Sequence, residues 1–343
     1  ILVTGNTGYI GPVLGGRIKA GNNNIKLVGY DTGFFLHCLT AVDRSPDLNY
    51  DIQYYGDIRK FDKTILNGVD VVIHLAAISN DPMGNNFSDV TDEINSKASE
   101  EIAKKSKEAG VKKFIFASSC SMYGSTDNNK KKESDSLKPL TAYAKSKVNS
   151  EKAISNINDN DFCTTNLRSA TAYGLSDSIR LDLVVNNLTC SAFTTNQVKL
   201  LSDRTAWRPL VHVEDMANAF ISVLNAKNSE VNGHAFNVGV NEDNYTVREI
   251  AQKVEQIVPN SNITYAKEAN KDSRSYKVDF TKIKHRLGFK TEWNLEKAIK
   301  EIYDLLKFKE FTENDFKNEK YFRVAYIKSL IEKGKINNNL FFQ

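Results

Sequence analysis

The chain has 343 residues, 41% apolar and 26% charged, enough to bury the core of one large domain or of two closely joined ones. Its net charge of +4 suits an anionic ligand, but no dense Lys/Arg stripe is interleaved with aromatics, which argues against a nucleic-acid partner. No apolar run approaches the roughly 20 residues of a membrane span, which argues against a membrane partner.

Ile1–Thr4 is a short apolar run of strand type. Gly5-Asn6-Thr7-Gly8-Tyr9-Ile10-Gly11 follows, where a helical pattern begins. Glycines at this spacing let the backbone turn tightly and approach a pyrophosphate, with free helix N-terminal N–H groups aimed at it. The first two glycines are three apart rather than two, a looser match than G-x-G-x-x-G. A second strand, Lys26–Tyr30, ends in Asp31, 20 positions beyond the last glycine. A carboxylate there can accept hydrogen bonds from an adenosine ribose and repel a 2′-phosphate, which argues for NAD over NADP.

Further strands are expected at Ile52–Tyr55, Val71–Leu75, Lys113–Ser118 and Phe162–Leu167. Long helices are expected over Val90–Ala109, ended by Gly110, and Tyr143–Ser155. Near-continuous apolar strands alternating with helices are the pattern of an α/β fold with a Rossmann-type doubly wound parallel sheet. The fourth strand ends in His74-Leu75-Ala76-Ala77, whose small alanines allow close approach of a cofactor. Lys130-Lys131-Lys132 lies among Asn, Glu and Ser and reads as a solvated loop. The second half is less regular. Asp182–Thr194, Glu214–Leu224, Val247–Val258 behind the N-cap Thr246, and Leu295–Phe308 read as helices. Tyr321, Phe322, Ala325, Ile327, Leu330 and Ile331 form an apolar stripe on a further helix, which packs on the body or meets a partner.

Cys38, Cys120, Cys163 and Cys190 are far apart with no C-x-x-C pair, and the five histidines lack metal-ligand spacing. Neither a metal site nor a disulfide framework is expected, a reducing compartment fits, and the cytoplasm is the expected location. The chain opens inside its first strand without Met, read as the loss of a few native residues, with room for a trimmed leader.

The chemistry-bearing residues are Ser118-Ser119-Cys120-Ser121 and Tyr143-Ala144-Lys145-Ser146-Lys147. They supply a hydroxyl, a phenol and an ammonium that can meet around one alcohol. A free Tyr has a pKa of about 10 and is a poor base at neutral pH; a cation at i+4 favours the phenolate. Ser119 can hold the same oxygen. A lone Y-x-x-x-K is weak, and its weight comes from lying downstream of the dinucleotide fingerprint. Together with Gly56-Asp57-Ile58-Arg59, Asn95, Arg208-Pro209-Leu210-Val211-His212-Val213 and Phe236-Asn237-Val238-Gly239, these motifs resemble the NAD-dependent epimerase/dehydratase family of extended short-chain dehydrogenase/reductases over nearly the whole chain.

The resemblance implies NAD as cofactor, held by Gly5, Thr7, Gly8, Tyr9, Ile10, Gly11, Asp31, Asp57, Ile58, Leu75, Ala76, Ala77, Asn95, Tyr143 and Lys147. It implies Ser119, Tyr143 and Lys147 as the catalytic set, acting at carbon 4 of a nucleotide-diphosphate sugar, with His74 structural. Substrate contacts are expected from Ser119, Thr171, Asn187, Arg208 and Arg274. The NAD-binding domain is expected at residues 1–174, returning at about 208–240. The substrate domain is expected at 175–207 and 241–310, and a helical tail at 311–343. The two long helices are expected to build a homodimer.

Departures narrow the reaction. Cys120-Ser121 stands where the family's 4,6-dehydratases carry Asp-Glu, and Ser121 where its uronate decarboxylases carry Glu. Tyr173-Gly174-Leu175-Ser176 lacks the partner His of the 3,5-epimerase/reductases, so Cys120 reads as buried filler. Thr171, Leu175 and Pro209 replace the usual Asn, Pro and Asp, which bears on the sugar more than on the reaction type. A 4-epimerase is the leading reading. The alternatives are a 4-dehydrogenase or 4-ketoreductase with exchangeable cofactor and, in another class, a non-catalytic NAD-binding sensor or scaffold. Asp31→Asn should narrow the preference for NAD⁺ over NADP⁺, read as the ratio of the two dissociation constants. An unchanged ratio would place Asp31 away from the ribose.

Overall fold

Alternation along the strands decides what each face buries. Leu2, Val72, Phe114 and Phe116 belong to one apolar cluster, while their neighbours Val3, Ile73 and Ile115 belong to another; none exposes surface. A period of two with both sets apolar demands helices on both faces of a sheet. The computed structural model describes residues 1–40, 45–79, 81–202, 205–270 and 274–343. Its central sheet joins β1 (Leu2–Thr4), β2 (Val28–Asp31), β3 (Ile52–Tyr55), β4 (Val71–His74), β5 (Lys113–Ser119), β6 (Cys163–Ser169) and β7 (His234–Val238). All pairs are parallel, in the order β7-β6-β5-β4-β1-β2-β3. The order reverses at β1, flanked by β2 and β4, so a crevice opens at the carboxyl ends of these strands.

All six expected strands form, and β7 is added beside β6, 65 residues after β6 ends. The helices α1 (Gly11–Gly21) and α2 (Ala142–Asn156) cover opposite faces: Leu14 and Ile18 join one cluster, Ile154 the other. The expected helix over Val90–Ala109 is not uniform. A short turn at Ser88–Thr91 passes into a π-helical stretch at Asp92–Ala98 before the α-helix Ser99–Glu108. π turns of this kind cluster at functional sites, and this one carries Asn95.

The second half builds α3 (Val184–Thr195), α4 (Val213–Asn225), α5 (Val247–Ile257) and α6 (Leu295–Phe308). Thr246 caps α5 in a capping box with Glu249, as the sequence predicts. α4 returns to the central sheet, where Phe220 and Val223 join the core under β5 and β6. α3, α5 and α6 enclose a third core with Leu188, Ile250, Val254, Ile299 and Ile302. Lys130 and Lys131 end an extended segment, Ser125–Lys131, paired with Ser275–Val278, rather than lying in a loop.

α7 (Arg323–Glu332) forms in the tail and packs on the body. The predicted stripe packs on the body except at Ala325, which is exposed: Tyr321 and Ile327 are buried, Phe322, Leu330 and Ile331 lie against the cores, and Arg323 and Tyr326 also turn inward. Among the described residues no helix is long and apolar enough to cross a membrane.

Candidate functional site

The crevice is a groove of about 420 Å³ that runs from the β1–α1 turn and the ends of β2 and β3, past β4 and β5, to the edge of the second lobe. At one end, Gly5 adopts φ +73° and lies so close to the chain after β4 that a Cβ would come within 2.6 Å of the Ala76 nitrogen. Gly11 packs on Asn6, whose backbone a Cβ would meet at 2.3 to 2.5 Å. α1 starts without a side-chain cap, so the loop offers backbone N–H groups at a helix N-terminus to an anion. Asp31, raised above the usual carboxylate range by burial, accepts from Gly33 N (2.8 Å) and Thr7 N (3.2 Å).

Of the residues expected at the cofactor, Gly5, Gly8, Tyr9, Ile10, Asp31, Asp57, Ile58, Leu75, Ala76 and Ala77 line the groove. Three expected cofactor residues stand behind its wall. Gly11 serves packing, and Thr7 directs its backbone N–H to Asp31. Asn95 is buried, accepts from Ile78 N (2.8 Å) and donates to Ile78 O (2.9 Å) and Ser146 Oγ (3.0 Å), so it shapes the wall through Ile78. Asp57 lines the groove while accepting from Arg59 through its backbone and guanidinium.

The reacting end is built on α2. Thr141 caps this helix by accepting from Ala144 N (3.1 Å), which fixes Tyr143 in the first turn. Tyr143 and Ser119, at the end of β5, are neighbours that both line the groove, and Ser119 Oγ donates to Ser121 Oγ (2.9 Å). Lys147 is buried one turn below, donates to Ala117 O at 2.7 Å, and sits 4.7 Å from the Phe116 ring centre and 5.9 Å from that of Tyr143. Burial brings the Lys147 pKa from 10.5 down to about 7. Burial, then Asp81, push Tyr143 up to about 12, against the influence of nearby Ser119 and Arg180. The sequence reading expects Lys147 to favour the phenolate. In the ligand-free protein burial wins, and Arg180 is the cation that opposes it.

His74, drawn down to about 3 by burial, bridges Thr4 Oγ1 (2.7 Å) and Ser99 Oγ (2.8 Å) outside the groove, in keeping with a structural role. Cys120 turns into the core with its thiol on Arg168 O (3.0 Å).

Of the expected substrate residues, Thr171, Arg208 and Arg274 line the groove with Ser119. Arg208 donates to Arg274 O (2.6 Å) and Trp207 O (2.8 Å), and Arg274 pairs with Asp81. Asn187 does not reach the groove. Its amide donates to Leu181 O (2.7 Å) and, with Asn186 on Gly174 and Arg180 O, pins the segment before α3.

Besides Asp182, three charged lining residues escaped the sequence reading. Asp81 accepts from Thr141 and Arg274 beside Tyr143. Arg180 is buried against Asp182 (2.9 Å) and donates to Ser79 Oγ (3.0 Å). Arg323 arrives from α7. The segment of alternating polar residues around Arg180-Leu181-Asp182 was a signal for the second; nothing local marks the third.

A sequence model described as the NAD dependent epimerase/dehydratase family matches residues 1–239. The UDP-glucose 4-epimerase of Neisseria meningitidis serogroup C is 27% identical over 273 residues, 70% of this chain and 77% of that protein. The UDP-glucuronate 4-epimerase of Thermodesulfobacterium geofontis is 24% identical over 319 residues, 87% of this chain and 93% of that protein. The crystal structure of UDP-glucuronic acid 4-epimerase from Bacillus cereus, in complex with UDP-glucuronic acid and NAD, superposes with a TM-score of 0.75. It is 23% identical and covers 90% of this chain and 98% of that one; the likeness is one of fold.

The unfolded chain holds the Lys147 proton up to its ordinary pKa of 10.5, the folded chain only below about 7. This folding penalty is therefore full below about pH 7 and is relieved as pH rises toward 10.5. Lys147→Met should raise the thermal midpoint of the ligand-free protein near pH 6, with a gain that shrinks toward pH 10. A gain independent of pH would contradict the buried ammonium.

Proposed function

Because the chain belongs to the NAD-dependent epimerase/dehydratase family, we propose that it is a nucleotide-sugar 4-epimerase in which Tyr143 is the base, Ser119 holds the reacting oxygen and Lys147 positions both. The cofactor is NAD, and the residues fit it: the glycines let the turn pack so closely on neighbouring backbone that a Cβ would clash, and the uncapped helix start and the Asp31 carboxylate match a pyrophosphate and a ribose. Bound there, NAD⁺ supplies a reversible hydride acceptor and a positive ring that favours a phenolate nearby.

The observation that carries the reading is that Ser119 and Tyr143 line one groove as neighbours, with the Lys147 ammonium buried one helical turn below. Tyr143 takes the proton of the carbon-4 hydroxyl, and Ser119 donates to the oxygen as it becomes a carbonyl. The resulting 4-keto sugar turns. Tyr143 returns its proton to the same oxygen, and carbon 4 is left inverted. Arg208 and Arg274, at this end of the groove, are the proposed diphosphate anchors, since a guanidinium binds phosphate oxygens bidentately. Neither Cys120 nor Ser121 can replace an Asp-Glu pair in eliminating water, which favours epimerisation over dehydration. UDP sugars are the first substrates to try, since the epimerases similar to this chain are named for them. We also propose the interleaved division between cofactor and substrate domains given above, and a homodimer through α2 and the helix Ser99–Glu108.

Incubating the purified protein with UDP sugars, without added NAD⁺, and following carbon 4 by NMR tests this reading. Inversion is expected. Net oxidation that requires added NAD⁺ would point to a dehydrogenase. Tyr143→Phe should lower turnover by at least 100-fold with cofactor binding intact, in line with loss of a general base worth roughly 10²–10⁴. Near-normal turnover would remove Tyr143 as the base.

A further inference from the structure

The tail does more than cover apolar surface. Arg323, the first residue of α7, reaches the adenosine end of the groove together with Ile327 and Leu340. Its side chain is 3% exposed. Its guanidinium carbon lies 3.9 Å from the Phe35 ring centre, and Nη2 donates to Ser178 Oγ (2.7 Å) and Ser178 O (3.1 Å). Nη1 is buried and meets no hydrogen-bond partner among the described residues. Leaving a donor of a charged group buried and unpartnered is costly, so a fold that keeps one beside a ligand groove points to the ligand as its partner.

The neighbours of Arg323 are charged groups of both signs. Arg323 stands within electrostatic reach of Asp31, Asp182 and Arg180. Ser178, its anchor, lies on the segment that packs over the glycine turn: Ser176 Oγ donates to Tyr9 O and Tyr9 Oη to Gly174 O, each at 2.6 Å. Backbone N–H groups at the start of α1 are thus offered to the ligand from one side, while Arg323, anchored on the segment laid across the turn, approaches from α7.

The tail is held firmly enough to place a ligand. Tyr321 O accepts from Leu181 N (2.9 Å), Asn339 O accepts from Arg59 (2.8 Å), and Ile327 and Leu340 sit in the same core as Ile58. Arg208 and Arg274 lie at the other end, by Asp81 and Tyr143, which assigns Arg323 to the dinucleotide rather than to the sugar nucleotide.

We propose that Arg323 binds a diphosphate oxygen of the dinucleotide, so that the C-terminal segment is part of the cofactor site. This rests on the NAD reading above. The test is equilibrium binding to the full chain of NADH, ADP-ribose, adenosine and UDP, for wild type, Arg323→Gln and Arg323→Lys. Loss of a charge-assisted hydrogen bond predicts that Arg323→Gln weakens NADH and ADP-ribose by roughly 10- to 100-fold, with adenosine and UDP unchanged. Arg323→Lys keeps the charge and should lose severalfold less; if the Gln variant does not fold, it carries the same comparison. Unchanged ADP-ribose affinity, an equal loss for adenosine, or a loss confined to UDP would overturn the assignment. A wild-type chain that does not bind NADH would instead overturn the cofactor reading itself.

Discussion

A buried ammonium beneath a buried phenol is the constraint on which the site depends. Lys147 is taken out of water between the Phe116 ring and the Ala117 carbonyl, and its lowered pKa shows what that burial costs. Neighbouring features hold it there. Thr141 starts α2, and Ser146 ties the Tyr143 carbonyl (2.8 Å) to Asn95 on the π turn. Glu151, farther along α2, pairs with Arg168 of β6 and accepts from Ser118 of β5 (2.7 Å). Breaking that pair would strand a buried charge, so α2 has little freedom to slide along the sheet. Ser119 and Tyr143 meet because two elements from different parts of the chain are locked in register by charges that cannot be separated cheaply.

Much of this was legible in the sequence. The strands β1 to β6 are short apolar runs, and a sheet buried on both faces permits little else. The glycine turn, Asp31 and the Ser119/Tyr143/Lys147 set are local patterns whose spacing carries their geometry. What was not legible depends on tertiary contact. β7 contains the polar Asn237, whose amide is satisfied only by partners from distant segments, Tyr123 among them. Asn95 and Asn187 were expected at ligands, yet both spend their amides on neighbouring backbone, a choice that side-chain chemistry alone does not reveal. The apolar stripe of the tail was found, but the inward turn of Arg323 beside it is set by the surface the helix packs on.

On the readings proposed above, the helix N–H groups and Arg323 serve one diphosphate and Arg208 and Arg274 another. A dinucleotide and a sugar nucleotide, each carrying a diphosphate, suit such a division. A tail whose Ile327 and Leu340 line the groove within the same core as Ile58 also suits a cofactor kept between turnovers.

The account stands on Tyr143 changing from a phenol held near 12 to a base that works near neutrality once the groove is filled. A spectroscopic titration of phenolate absorbance, taken as the difference between wild type and Tyr143→Phe with and without NAD⁺, reads that change directly. The prediction is no Tyr143 phenolate below about pH 10 in the free protein, and a transition displaced by several pH units toward neutrality with NAD⁺ bound. A transition that stays in place when NAD⁺ binds would contradict the assignment of Tyr143 as the base.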